Sequence, residues 1–113
     1  VSDFSAAMAD MDTALLETLK DGRVDFLTAA GSVAVEGLDA IVDTDVQRIN
    51  EVSGFVDRVV TVCVSKAALG AYDRKGGVRS NSIEPVKYLV GKNWHLDGIA
   101  SDDGDLITFY LVP

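Results

Sequence analysis

The run Phe55-Val56-Asp57-Arg58-Val59-Val60-Thr61-Val62-Cys63-Val64 constrains the fold more than any other stretch of this chain. Side chains branched at Cβ lose rotamer freedom against a helical turn but pack well on a pleated surface, so a run this rich in valine and threonine predicts a strand. As a strand it sends Val60, Val62 and Val64 to one side and Val59, Thr61 and Cys63 to the other.

The neighbouring stretches follow the same logic. Val24-Asp25-Phe26 alternates, Gly31-Ser32 marks a turn, and Val33 to Val42 reads as one long strand or two short ones broken at Gly37. Residues 43–54 are polar and read as a loop, with Val46 and Ile49 supporting at most one helical turn. Residues 67–85 contain Gly70, Gly76-Gly77, Ser80-Asn81-Ser82 and Pro85 and read as one long loop. Loops beyond about 12–15 residues are uncommon unless they bind something or are disordered. Three closing strands are predicted, Val86 to Val90, Asn93 to Ala100 and Asp105 to Val112, with Gly91-Lys92 as a two-residue hairpin turn between the first two.

Ahead of these strands, Ser2 or Asp3 suits a helix cap, and Phe4, Ala7, Met8, Met11, Leu15 and Leu19 recur at spacings of three and four. Gly22 suits the left-handed position that ends a helix. The spacing predicts an amphipathic helix over residues 3–21, with Asp10, Asp12, Glu17 and Asp21 largely off its apolar stripe. The fold class is therefore mainly β in a single domain. Residues 1–22 form a helix packed on an antiparallel β-barrel or sandwich of residues 23–113, with a long mid-chain loop.

The 113 residues are 48% hydrophobic with only two prolines, which fits a folded domain with one modest core. No window holds the about 18 uninterrupted apolar residues of a spanning helix, and Asp3 and Asp10 stand where a secretory signal carries lysine or arginine. A soluble, cytoplasmic product without membrane contact is the expectation. Cys63 is the only cysteine, so neither an intramolecular disulfide nor a cysteine zinc site is available.

The net charge of −8 argues against sequence-specific nucleic-acid binding, because affinity for the phosphate backbone comes from clustered lysine and arginine. The distribution is uneven. Arg58 to Lys92 carries a balance of +5, and the rest of the chain carries −13. Such a two-sided subunit suits a head-to-tail contact with an identical neighbour, basic part against acidic part.

Candidate chemistry is sparse. Asp102-Asp103-Gly104-Asp105 lies where one strand must reverse into the next, and Asp and Gly are favoured there because they bond their own amides and tolerate left-handed backbone. A calcium loop would end on a bidentate Glu, whereas Leu, Ile, Thr and Phe follow Asp105. Asp43-Thr44-Asp45 is a second acidic pair with metal-like spacing, and with Arg74-Lys75 it defines a rival reading as a small metal- or nucleotide-binding domain. Arg74-Lys75-Gly76-Gly77 lacks the Walker spacing and reads as a mobile arm rather than a phosphate cradle. His95 and Cys63 are the single residues of their types, with no orienting third group in the pattern. No catalytic residue, cofactor or metal is expected.

Trp94-His95-Leu96-Asp97-Gly98-Ile99-Ala100-Ser101-Asp102-Asp103-Gly104, with Leu106 to Leu111 after it, resembles the closing strands of the lambda-type phage head-tail joining (head completion) proteins. Ser2-Asp3-Phe4 and the Ala- and Met-rich stretch behind it resemble that family's opening Asp-Phe and alanine-rich helix. Residues 44–85 do not follow the family pattern. The resemblance implies a non-enzymatic subunit that forms a ring in the phage neck, between a portal-side connector protein and a tail protein. Such a protein passes from the host cytoplasm into the virion; a tail completion or terminator ring is the nearest alternative. In this reading the loop from Gly70 to Pro85 and the helix from Asp3 to Asp21 make the contacts. Arg74, Lys75, Arg79 and Tyr72 then form one interface, and Asp10 and Glu17 the other.

Overall fold

Strands form wherever the sequence alternates, and in two places where it does not. The computed structural model describes residues 19–49 and 52–113. Its strands are β1 (Gly22–Leu27), β2 (Val33–Ile49), β3 (Val56–Ser65), β4 (Gly77–Ser80), β5 (Trp94–Asp102) and β6 (Leu106–Val112). They hydrogen-bond in the order β1-β2-β3-β6-β5-β4, all antiparallel, and β4 pairs back onto β1 so that the sheet closes as a barrel. Closure removes the sheet edges that would otherwise offer unpaired backbone groups.

Inward residues of every strand meet in one core. Val24 and Phe26 of β1, Val62 and Val64 of β3, Val78 of β4 and Phe109 of β6 are all essentially inaccessible. The rings of Phe26 and Phe109 meet edge to face at 5.6 Å between centroids. Val60, Val62 and Val64 share the core face, as their alternation predicts; on the other face Thr61 is buried as well. Leu69, on a one-turn helix (Lys66–Leu69) capped by the Ser65 hydroxyl, adds to this core together with Val86 and Leu89.

Four expectations are corrected. First, residues 3–18 of the predicted helix, with Asp10 and Glu17, lie outside the described residues; Leu19 is helical, but Lys20 and Asp21 are not. The Asp21 N–H donates to the Ala40 carbonyl at 2.8 Å and its carboxylate accepts from the Val42 N–H at 2.7 Å, so the chain is already laid along β2. Second, the polar stretch from residue 43 is not a loop but the far half of β2, paired with β3 as Val46↔Val59, Gln47↔Arg58, Arg48↔Asp57 and Ile49↔Val56. These pairs lie beyond the barrel, since β3 meets β6 only from Val60 onward. A two-stranded ribbon there needs no core face, so its polar composition hides it.

Third, the predicted long loop contains β4, whose Val78 points into the core. Gly76 and Gly77 are required for this insertion. A Cβ on Gly76 would lie 1.9 Å from the Leu27 carbonyl oxygen, and one on Gly77 would lie 2.2 Å from that of Trp94. The pair therefore serves close approach of backbones between β1 and β5, not a mobile arm. Fourth, Val86 to Val90 is no strand. Val86 and Leu89 are buried at a spacing of three, which a single 3-10 turn (Lys87–Leu89) satisfies, and Gly91-Lys92 follows that turn instead of joining two strands.

One buried charge ties the closing strands together. Between Val24↔Leu38 and Phe26↔Val35 the β1-β2 register slips, leaving Gly37 in a bulge with φ +71° and its N–H outside the ladder. The carboxylate of Asp25, 2% exposed, accepts that N–H at 3.0 Å. It also accepts from the Asn81 side-chain amide at 2.8 Å and from Arg79 Nε at 3.0 Å, Arg79 being its direct partner on β4. The Asn81 side-chain oxygen in turn accepts from the N–H of Ile83, at 2.8 Å, which fastens the segment after β4.

Burial alone pushes the Asp25 carboxyl up. The hydrogen bonds from Asn81, Gly37 and Arg79, with the charge of Arg79, outweigh it and hold the carboxyl below the usual carboxylate range. A depressed folded value stabilises the protein above the unfolded value of about 3.9, and that contribution is lost as pH falls from there through the folded value. Asp25→Ala leaves the Gly37 N–H, the buried Asn81 amide and Arg79 without their acceptor and should cost about 2–5 kcal/mol at pH 7. In urea unfolding, the stability gap between parent and Asp25→Asn should narrow as pH falls below about 4. A gap independent of pH would show that the ionised carboxylate contributes nothing.

Candidate functional site

The barrel is closed unevenly, and an apolar cleft opens at its most weakly paired seam. β4 has four residues and pairs with β5 only as Gly77↔His95 and Val78↔Trp94, with one further bond from the Leu96 N–H to the Gly76 carbonyl at 3.1 Å. From Asp97 to Asp102, β5 is paired with β6 on one side, and among the described residues no strand covers the other side. The register of β5 against β6 also slips twice between Leu96 and Ser101, which bends this edge.

A cleft of about 300 Å³ opens at the seam, lined by Tyr72, Arg74, Leu96, Gly98, Ile99 and Phe109. Ile99 pairs with the core residue Phe109 and so belongs to the inner face of the sheet, yet it is 48% exposed. Tyr72 closes part of the gap by setting its ring edge-on to Phe109 at 5.0 Å. Asp73, the next residue, holds this segment: its carboxylate accepts from the N–H of Ala29 and of Lys75, both at 2.9 Å, bonds that keep it below the usual carboxylate range. Arg74 and Lys75 stay exposed, with no ion pair among the described residues.

The second distinctive surface is the ribbon in which residues 46–49 pair with residues 56–59. Arg48, one residue before Ile49, lies 4.1 Å over the ring of Tyr110 and pairs with Asp97 at 2.6 Å, which fastens the ribbon to β6 and β5. Its far end is apolar and open to solvent: Ile49 is 68% exposed, Phe55 73% and Val56 55%. Large apolar side chains clustered on one surface mark an interaction site more often than scattered ones do.

The residues singled out in the sequence are distributed differently from expectation. Tyr72 and Arg74 do come together, at the cleft, with Lys75 beside them in sequence. Arg79 does not join them as a free interface residue, because it is the ionic partner of buried Asp25. Asp43 and Asp45 converge on no cation site with Arg74: Asp45 pairs with Arg58, and Asp43 accepts the Asp45 N–H. Cys63 pairs with Thr108 and His95 with Val112, four residues further along β6, or about 13 Å, so they form no base and nucleophile pair. Among the described residues no group of three His, Cys, Asp or Glu side chains is placed to hold a metal ion. No helix among them is long and apolar enough to cross a membrane.

The acidic hairpin is a turn. Asp102 accepts from the Gly104 N–H at 3.0 Å, and Asp103 accepts from the N–H of Asp105 at 2.9 Å and of Leu106 at 2.7 Å. Lys66 donates to Asp102 at 2.7 Å, and that bond, with the one from Gly104, holds its carboxyl low; the Leu106 and Asp105 amides do the same for Asp103. No protein-family model matches this chain, and no curated protein and no solved structure matches it either.

The contrast among the three basic residues is measurable. Arg74→Glu and Lys75→Glu should each shift stability by less than about 0.5 kcal/mol, as exposed substitutions usually do. Arg79→Glu puts a second carboxylate against Asp25 and should cost at least about 2 kcal/mol. Thermal unfolding of the three variants checks this order; equal effects would mean that Arg79 is not committed to Asp25.

Proposed function

We propose that this chain is a structural subunit of a viral neck, a head-tail connector or head completion protein that assembles as a ring between the portal complex and the tail. The observation that carries the proposal is the presence of two unlike surfaces on one small barrel, an apolar ribbon end and an apolar cleft beside the exposed basic residues Arg74 and Lys75. A ring needs such a heterologous contact, in which one surface of each subunit meets a different surface of the next. The resemblance of the closing stretch to the lambda-type joining proteins supports the same reading; that stretch forms the β5-β6 hairpin with its Asp-Asp-Gly turn. The charge asymmetry adds to it, since the exposed Arg74 and Lys75 remain available to an acidic neighbour.

In this reading the barrel carries no chemistry. It holds two contact surfaces at a fixed separation, and the neck geometry follows from that rigidity. The test is binding to DNA-filled heads that carry their portal but lack a joining protein, with the bound copies counted. Saturation at one ring per head, followed by tail attachment, is the expected result. Arg74→Glu combined with Lys75→Glu should weaken joining, more strongly at low ionic strength, because rim charges act mainly on encounter. Heads that bind no copies would contradict the head-side role and move the ring to the tail end.

A further inference from the structure

We propose that Phe55 and Val56, where β3 runs out beyond the barrel, seat in the β5 cleft of a second copy, so that subunits join head to tail. The inference rests on the ring reading above and names the contact that builds the ring.

Three features of the single chain point to this occupant. The first is mutual incompleteness. Phe55 and Val56 are exposed in the chain that carries them, so the ribbon does not fill its own cleft. Ile99, an inner-face residue, remains half exposed in the same chain. An aromatic side chain entering a desolvated pocket is the commonest kind of energetic anchor at a protein interface, and Phe55 beside the wall formed by Leu96, Ile99 and Phe109 fits that description.

The second feature is charge. Asp57 directly follows the apolar pair, is exposed, and has no ion pair among the described residues. Arg74, on the cleft wall, likewise has none. Each is the complement the other lacks within its own chain. The third feature is backbone. Among the described residues β3 is paired on one side only from Val56 to Val59, because its ladder with β6 begins at Val60. Among the same residues β5 is paired on one side only beyond Leu96. Two open strand edges offer a main-chain ladder between copies in addition to the side-chain contact.

A contact of this kind uses different surfaces on the two partners, so it propagates; it does not stop at a dimer. Disulfide trapping reads this directly, in the full chain carrying Cys63→Ser. The double variant Phe55→Cys, Ile99→Cys at millimolar concentration under mild oxidation should yield a ladder of covalent oligomers. Phe55→Cys and Ile99→Cys on separate chains, mixed one to one, should yield a mixed dimer and nothing larger. Dimers linked only through like positions, or no cross-link at all, would overturn the proposal.

Charge exchange provides a second readout that does not depend on introduced cysteines. Asp57→Arg or Arg74→Asp alone should weaken self-association about ten-fold by sedimentation, and the double variant should recover to within about two-fold of the parent. No recovery overturns the pairing of these two residues. Saturable binding to heads without any ladder would remove this contact and leave the neck role standing. A ladder without head binding would do the reverse.

Discussion

The buried carboxylate of Asp25 is the interaction on which the rest of this barrel depends. It sits on β1 between the two strands that must be joined for the sheet to close. One oxygen satisfies the bulged amide of Gly37 on β2 and the amide of Asn81, and the other meets Arg79 on β4. Taking a carboxylate out of water is costly, and only a full set of donors offsets it. Those donors come from the elements whose placement is least obvious, the bulge at Gly37, the four-residue strand β4 and the segment that follows it. Lys20 and Arg23, each paired with Asp39 and Glu84, add a partly exposed layer over the same junction.

On the far side of β4 the closure is incomplete, and this asymmetry gives the molecule its functional character. A four-residue strand is long enough to join β1 but too short to cover β5. The uncovered part of β5 exposes inner-face residues, and Tyr72 only partly plugs the gap. At the same time β2 and β3 run on past the barrel and carry apolar side chains away from any core. A barrel that is deficient at one seam and overextended at one hairpin has the two halves of an interface on a single chain.

Much of the fold was legible in the sequence because alternation and turn chemistry act locally. The β-branched run ending at Val64, the strand led by Trp94, the Asp-Asp-Gly turn and the last apolar strand all follow from side-chain preferences over a few residues. What stayed hidden depends on partners distant in the chain. Gly76-Gly77-Val78-Arg79-Ser80 looks like a loop because its two glycines serve backbone contacts with Leu27 and Trp94. Asp43 to Ile49 looks like a loop because a ribbon outside the core needs no apolar face. The candidate interface was partly visible: Tyr72 and Arg74 do line one cleft. The ion pair of Arg79 stayed hidden because its partner lies 54 residues away, and no spacing in the sequence reveals a contact of that kind. Gly98 breaks the alternation of β5 and was the one available sign that Ile99 would sit at an opening.

Residue-resolved hydrogen exchange of the isolated chain tests most directly the claim that a seam locked by Asp25 faces a seam left open at β5. The account predicts that the Gly37 amide, although in a bulge, exchanges as slowly as the core amides of β3, because its acceptor is released only on global unfolding. It also predicts that the outward-directed amides between Asp97 and Ser101 exchange orders of magnitude faster. Rapid exchange at Gly37, or protection along that edge of β5 in a monomer, would contradict it.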